Sequence, residues 1–78
     1  MSAKPAFAHE ERIPTEVEGG AAFSRLYLGG DGKPACVVLY NAAQMVLTDF
    51  RRGTANAFPR DLSMPPAADC DRLVERLF

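Results

Sequence analysis

A chain of 78 residues has room for one small domain, and its 47% hydrophobic content argues against a chain without a packed core. The formal net charge of −1 argues against a strong electrostatic grip on nucleic acid, and no segment reaches the roughly 20 apolar residues of a membrane span. The first residues also lack the apolar core of a signal peptide, so we expect a cytoplasmic protein that contacts no membrane.

The N-terminal residues 1–11 are polar and show neither a helical nor a strand period. They predict a mobile tail ahead of a single small domain over residues 12–78. Residues 12–18 suit an edge strand, because Pro14 excludes them from the middle of a sheet. The pair Gly19-Gly20 follows this segment and predicts a break before the next strand.

The stretch after this break predicts three antiparallel strands joined by two tight turns. The first turn contains Asp31-Gly32, a pair that supplies the positive φ angle a tight hairpin needs. Residues 42–50 also have a composition that favours a short helix, but the alternation of Val46, Thr48 and Phe50 favours a strand. The predicted strands are residues 23–28, 35–40 and 45–51, and the predicted turns are residues 29–34 and 41–44.

The C-terminal part predicts an irregular connection over residues 54–66, followed by a helix. Pro65-Pro66 suits the first turn of that helix, and Ser63 suits its N-cap. The helix has a single apolar stripe, formed by Cys70, Leu73, Val74, Leu77 and Phe78. These elements predict an α+β fold, an antiparallel meander of three or four strands with one C-terminal helix packed on one face.

Alternation along the strands divides the sheet into two faces. We expect the helix to cover the first, which we call the aliphatic face, and the second, which we call the mixed face, to stay open. The aliphatic face comprises Leu26, Leu28, Ala35, Val37, Leu39, Val46, Thr48 and Phe50. The mixed face comprises Phe23, Arg25, Tyr27, Cys36, Val38, Tyr40, Met45, Leu47, Asp49 and Arg51.

Aromatic residues, methionine and arginine are enriched at the centres of protein interfaces, so the mixed face predicts a binding surface for a protein partner or a second copy of the chain. The alternative for this face is that the connection folds over it through Phe58, Leu62 and Met64. The predicted partner-binding residues are Phe23, Arg25, Tyr27, Tyr40, Met45, Arg51 and Arg52.

The histidine and the two cysteines, residue types that often act in catalysis or bind metals, do not form a catalytic or metal-binding pattern in this sequence. His9 lies in the predicted tail, and Cys36 and Cys70 are isolated from other metal ligands. We therefore predict a non-enzymatic protein without a cofactor or metal, of a size that suits an accessory or inhibitory protein encoded by a bacterium, a phage or a mobile element. The alternative function is nucleic-acid binding through a cluster of Arg25, Arg51 and Arg52.

Overall fold

A computed structural model describes residues 4–14 and 21–78 of the chain, and these residues form five strands and one helix. The strands lie in one antiparallel sheet in the order β1-β2-β3-β4-β5, so each pairs with its neighbours along the chain. The α+β class and the meander agree with the prediction, although the sheet has more strands than expected. The elements are β1 (Ala6–Ile13), β2 (Ala22–Leu28), β3 (Pro34–Tyr40), β4 (Gln44–Asp49), β5 (Thr54–Pro59) and α1 (Pro66–Leu77).

The two edge strands, β1 and β5, differ from the sequence predictions. β1 occupies residues 6–11 of the predicted tail, and β5 occupies the first half of the predicted connection, so both predictions are wrong there. Their side chains are almost all exposed, and strands without a covered face need no alternating apolar pattern. The strand predicted at residues 12–18 contributes its first two residues to β1. Its remainder from residue 15, with the predicted glycine break, lies outside the described residues.

Both predicted hairpin turns are present, and each is held by local hydrogen bonds. Gly32 has a φ of 78°, the left-handed conformation that glycine adopts without strain. The Gly29 N–H donates to the Lys33 carbonyl at 2.8 Å, and the Lys33 N–H donates to the Asp31 carboxylate at 3.0 Å. In the next turn, the Asn41 side chain accepts two backbone N–H groups at 2.8 and 2.9 Å. These turns align β2, β3 and β4.

The register of the central strands places the two sets of side chains on opposite faces, as predicted. The single departure in the β2–β3 and β3–β4 ladders is Leu28, which an irregularity pairs with Pro34 in place of Ala35. Residues 44–49 form β4, so the alternative of a short helix in this region is wrong.

Helix α1 packs on the mixed face, and the prediction that it covers the aliphatic face is wrong. Cys70, Leu73 and Val74 of the helix are each at most 3% exposed, and they join the mixed face in one core. The members from the sheet are Tyr27, Cys36, Val38, Tyr40, Met45 and Leu47, with Phe23, Phe58, Leu77 and Phe78 packed against them.

Side-chain size gives a physical reason for this choice of face. Tyrosine and methionine bury more area under a helix than valine, alanine or threonine, and burial stabilises in rough proportion to apolar area. A tyrosine can also bury its ring while its hydroxyl reaches a polar partner at the margin of the core. The tyrosines of the mixed face therefore combine apolar burial with polar contacts that the aliphatic face does not offer.

The connection between β5 and α1 contributes little to the core. Phe58 packs against it from β5, but Leu62 is 82% exposed and Met64 is half-buried. The helix begins at Pro66 without a side-chain cap, and the predicted N-cap residue, Ser63, donates its hydroxyl to Asp61 instead.

Truncation of a buried leucine, compared with truncation of an exposed one, tests the packing of α1 in this core. Leu73→Ala should lower the free energy of unfolding by about 2–5 kcal/mol, because it leaves a cavity between α1 and the sheet. Leu62→Ala removes the same atoms from an exposed position and should change it by less than about 0.5 kcal/mol. Urea unfolding followed by circular dichroism measures both, and equal effects would contradict the packing of α1.

Candidate functional site

The aliphatic face is apolar, and α1 does not pack on it, although Ala35 on this face is only 1% exposed. Leu39 is 39% exposed and Phe50 is 50% exposed, while Leu26, Val37 and Val46 are half-buried among their neighbours in the sheet. The N–H of Phe50 donates to the Ala35 carbonyl at 3.0 Å, which extends the β3–β4 ladder and its alternation by one residue. An exposed group of apolar side chains on a small protein is a candidate for an interaction surface.

The edge strands give this face a small apolar border on one side and a polar border on the other. On β5, Ala55 and Ala57 continue the face and are exposed. On β1, the corresponding positions are His9 and Glu11, whose side chains are 61% and 71% exposed and lie 3.0 Å apart. An apolar centre with polar groups at its rim is the usual composition of a protein interface.

Four of the predicted partner-binding residues lie beneath α1 instead of on an open surface. Tyr27 is 2% exposed, Met45 3%, Arg25 6% and Tyr40 7%. A partner cannot reach these side chains in this fold, which contradicts the prediction that they form an open surface.

The other three predicted residues lie at the margins of the core. Phe23 is half-buried and stacks on the ring of Tyr40, with ring centroids 5.3 Å apart. Arg51 and Arg52 are exposed, and their guanidinium carbons lie 5.8 and 5.9 Å from the centroid of the Phe78 ring. Because Arg25 is buried, the structure does not present the three arginines of the predicted nucleic-acid surface as one exposed cluster.

Arg25 is held in a network that joins β1, β2, β3 and α1. Its Nε donates to the Tyr27 hydroxyl at 3.0 Å. Its two terminal nitrogens donate to Glu10 at 2.9 Å and to Asp71 at 3.0 Å. The hydroxyl of Tyr27 donates to Asp71 at 2.6 Å, and that of Tyr40 donates to Glu10 at 2.8 Å. Every polar group that the mixed face places at this margin of the core therefore has a partner, as buried polar groups require.

The network shifts the pKa values of its members in opposite directions. Burial alone would raise the pKa of Glu10, but hydrogen bonds from Tyr40 and Arg25 outweigh burial and hold the pKa below its usual 4.5. Burial and the hydrogen bond to Glu10 raise the pKa of Tyr40 to about 12. At neutral pH the network thus pairs an ionised carboxylate with protonated donors.

The cysteines and the histidine do not come together. Cys36 and Cys70 are free thiols with 0% exposure, and burial raises their pKa values to about 11 and about 12. His9 lies on β1, exposed. Within residues 4–14 and 21–78, no three His, Cys, Asp or Glu side chains form a group that could hold a metal ion. The described helix is too short to cross a membrane.

Sequence reasoning missed the acids that make Arg25 a core residue. Glu10 lies in the segment predicted as a tail, and Asp71 lies outside the predicted apolar stripe of the helix. The signal that points to them is Arg25 itself, which lies among apolar and aromatic residues of one strand. A cation in that position needs carboxylate partners nearby, because an unpaired buried charge is strongly unfavourable.

Comparison of the chain with protein-family models, with curated proteins and with solved structures finds no match. The function proposed for the chain therefore depends on its own surfaces.

Two neighbouring acids of β1 test the network. Glu10→Gln should lower the free energy of unfolding by about 1–3 kcal/mol at neutral pH, because it removes the charge that faces Arg25. Glu11→Gln, which alters only the exposed contact with His9, should change it by less than about 0.5 kcal/mol.

The pH dependence of the same pair adds a second measurement. The pKa of Glu10 is lower in the folded state than in the unfolded state. Ionised Glu10 therefore stabilises the fold at pH values above its unfolded pKa, and this stabilisation is lost as the pH falls through the folded pKa. The difference between wild type and Glu10→Gln in urea unfolding should shrink in acid. A difference that is absent at neutral pH, or that grows in acid, would show that the carboxylate does not support the fold.

Proposed function

We propose that this protein is a non-enzymatic interaction module that binds a second copy of itself through the aliphatic face. The observation that carries the proposal is the contrast between the two sides of the sheet. One side is covered by α1, and the other is apolar and has no helix packed on it in the described part of the chain. A second apolar layer is the usual way in which such a sheet buries its remaining face.

The composition of the face favours a second copy over a charged partner. Its centre on β2, β3 and β4 contains aliphatic side chains and no ionised group, so two copies can face each other without placing like charges in contact. The net charge of −1 adds little repulsion between whole chains. The absence of a cation from this centre also disfavours the alternative of nucleic-acid binding, which depends on contacts to phosphate.

The dimensions of the whole sheet, with its polar border on β1, suit a weak dimer. Strands of about six residues at ~3.3 Å per residue, spaced ~4.8 Å apart across the described sheet, give roughly 500 Å² on each copy. The pair then buries about 1,000 Å², the lower range of biological interfaces. In such a dimer the two sheets would pack face to face about 10 Å apart.

The position of β3 at the middle of the sheet suggests how two copies would align. A two-fold axis passing near β3 would bring Leu39 and Val37 of one copy against the same residues of the other. Phe50, at the end of the ladder, would then lie against the margin of its partner. The arrangement would form a sandwich with a helix on each outer side.

Two single variants, each with an exposed leucine replaced by aspartate, test the proposal. Leu39→Asp places a carboxylate at the centre of the aliphatic face and should convert the dimer to a monomer. Leu62→Asp makes the same change at an exposed position outside the sheet and should leave the dimer intact. Sedimentation equilibrium measures the mass of both, at concentrations up to about 1 mM so that an association of only about −4 kcal/mol is detected.

Circular dichroism of both variants checks that each remains folded. A wild-type chain that stays monomeric over the whole concentration range would contradict the proposal. So would a Leu39→Asp variant that is folded and dimeric.

A further inference from the structure

A cavity of about 220 Å³ lies between β5 and α1, on the side of the sheet away from the aliphatic face. Three arginines line it: Arg60, which follows β5, and Arg72 and Arg76, which lie four residues apart on the helix. Residues four apart lie on the same side of a helix, so both can face one cavity. Met45, Phe58 and Leu73 supply an apolar wall.

Two acids among the lining residues balance two of these cations. Asp69 is 2% exposed and pairs with Arg60, which is 5% exposed, and it also accepts the Asp61 N–H at 2.7 Å. Arg72 donates to Asp61 at 3.0 Å and lies 3.5 Å from Asp69. Arg76 makes no ion pair with a described residue. The lining therefore has three positive and two negative side chains, an excess of one positive charge.

The guanidinium group of Arg60 is already held by partners within the fold. Its terminal nitrogens donate to Asp69 and to the carbonyls of Asp61 and Met64, but its Nε is buried and has no hydrogen-bond partner among the described residues. Because this Nε is shielded from solvent, a ligand in the open cavity does not reach it, and Arg76, which is exposed, is the lining cation left for an anion.

We propose that this cavity binds a small carboxylic acid whose remaining part is apolar. A single carboxylate matches the excess of one positive charge, and the planar guanidinium group of arginine fits a carboxylate through two parallel hydrogen bonds. The apolar wall would contact the body of the acid.

The size and charge of the cavity disfavour a nucleotide and inorganic phosphate. Its volume is below the roughly 300–1,000 Å³ of pockets for drug-sized ligands, so a nucleotide is too large. Inorganic phosphate has no apolar part for the wall, and the fraction that is doubly charged at neutral pH exceeds the single excess positive charge beside Asp61 and Asp69.

Benzoate and benzamide form the matched pair of probes, because they share a ring and differ in charge. Titration of the full chain, followed by amide shifts in two-dimensional NMR, should show benzoate binding with shifts centred on Arg60, Leu73 and Arg76. Benzamide and inorganic phosphate should each bind at least tenfold more weakly. Equal binding of benzoate and benzamide, or benzoate shifts scattered over the surface, would overturn the proposal.

Two arginine substitutions with the same change in charge separate a site from a general charge effect. Arg76→Gln removes the unpaired cation and should weaken benzoate binding about tenfold. Arg52→Gln removes an exposed arginine outside the cavity and should leave binding unchanged. Equal weakening by both variants would show non-specific attraction and overturn the proposal.

The source of the carboxylate is tested with N-acetylleucine, which resembles the C-terminus of a peptide. Tighter binding of N-acetylleucine than of benzoate would support a chain terminus as the natural ligand, and the reverse would support a free acid. The cavity lies away from the aliphatic face, so benzoate binding does not depend on dimer formation. The folded Leu39→Asp variant should therefore bind benzoate as wild type does.

Discussion

The packing of α1 on the mixed face is the contact on which the rest of this structure depends. One helix covers one side of the sheet, so its choice of side decides which residues form the core and which meet solvent. Leu73, Val74 and Cys70 contact the tyrosines, methionine and small apolar residues of that face. The aliphatic face has no helix packed on it in the described part of the chain, although its residues would suit a core equally well by hydrophobicity alone.

The same contact explains why a buried arginine is tolerated in so small a core. Arg25 reaches a carboxylate on β1 and another on α1, so closing the helix onto the sheet completes its set of hydrogen bonds. The guanidinium carbon also lies 4.1 Å from the centroid of the Phe7 ring on the edge strand. Strand β1 therefore supports the core through polar and cation–π contacts more than through apolar burial, since its own side chains are mostly exposed.

The parts of the fold that could be predicted are those with a local signal. The Asp31-Gly32 turn, the apolar β3 and the helical stripe each follow from a short stretch of sequence, and the structure confirms them. The edge strands have no such signal, because most side chains of β1 and β5 are exposed. Their strand conformation comes from backbone pairing with β2 and β4, which composition does not report.

The side that the helix covers could not be predicted, for a related reason. Alternation gives two sets of residues but does not say which set faces inward. Here the decision depends on contacts between distant segments, since Glu10 and Asp71 lie 15 and 46 residues from Arg25. Aromatic and arginine residues are typical both of interfaces and of the margins of small cores, so their types did not distinguish the two.

Nuclear Overhauser contacts between rings and methyl groups test directly whether α1 packs on the mixed face. If α1 covers the mixed face, the rings of Tyr27 and Tyr40 should show contacts to the methyl groups of Leu73 and Val74, and Leu39 and Val46 should show none to the helix. Contacts from the helix methyls to Leu39 and Val46, with none to the tyrosine rings, would contradict the account.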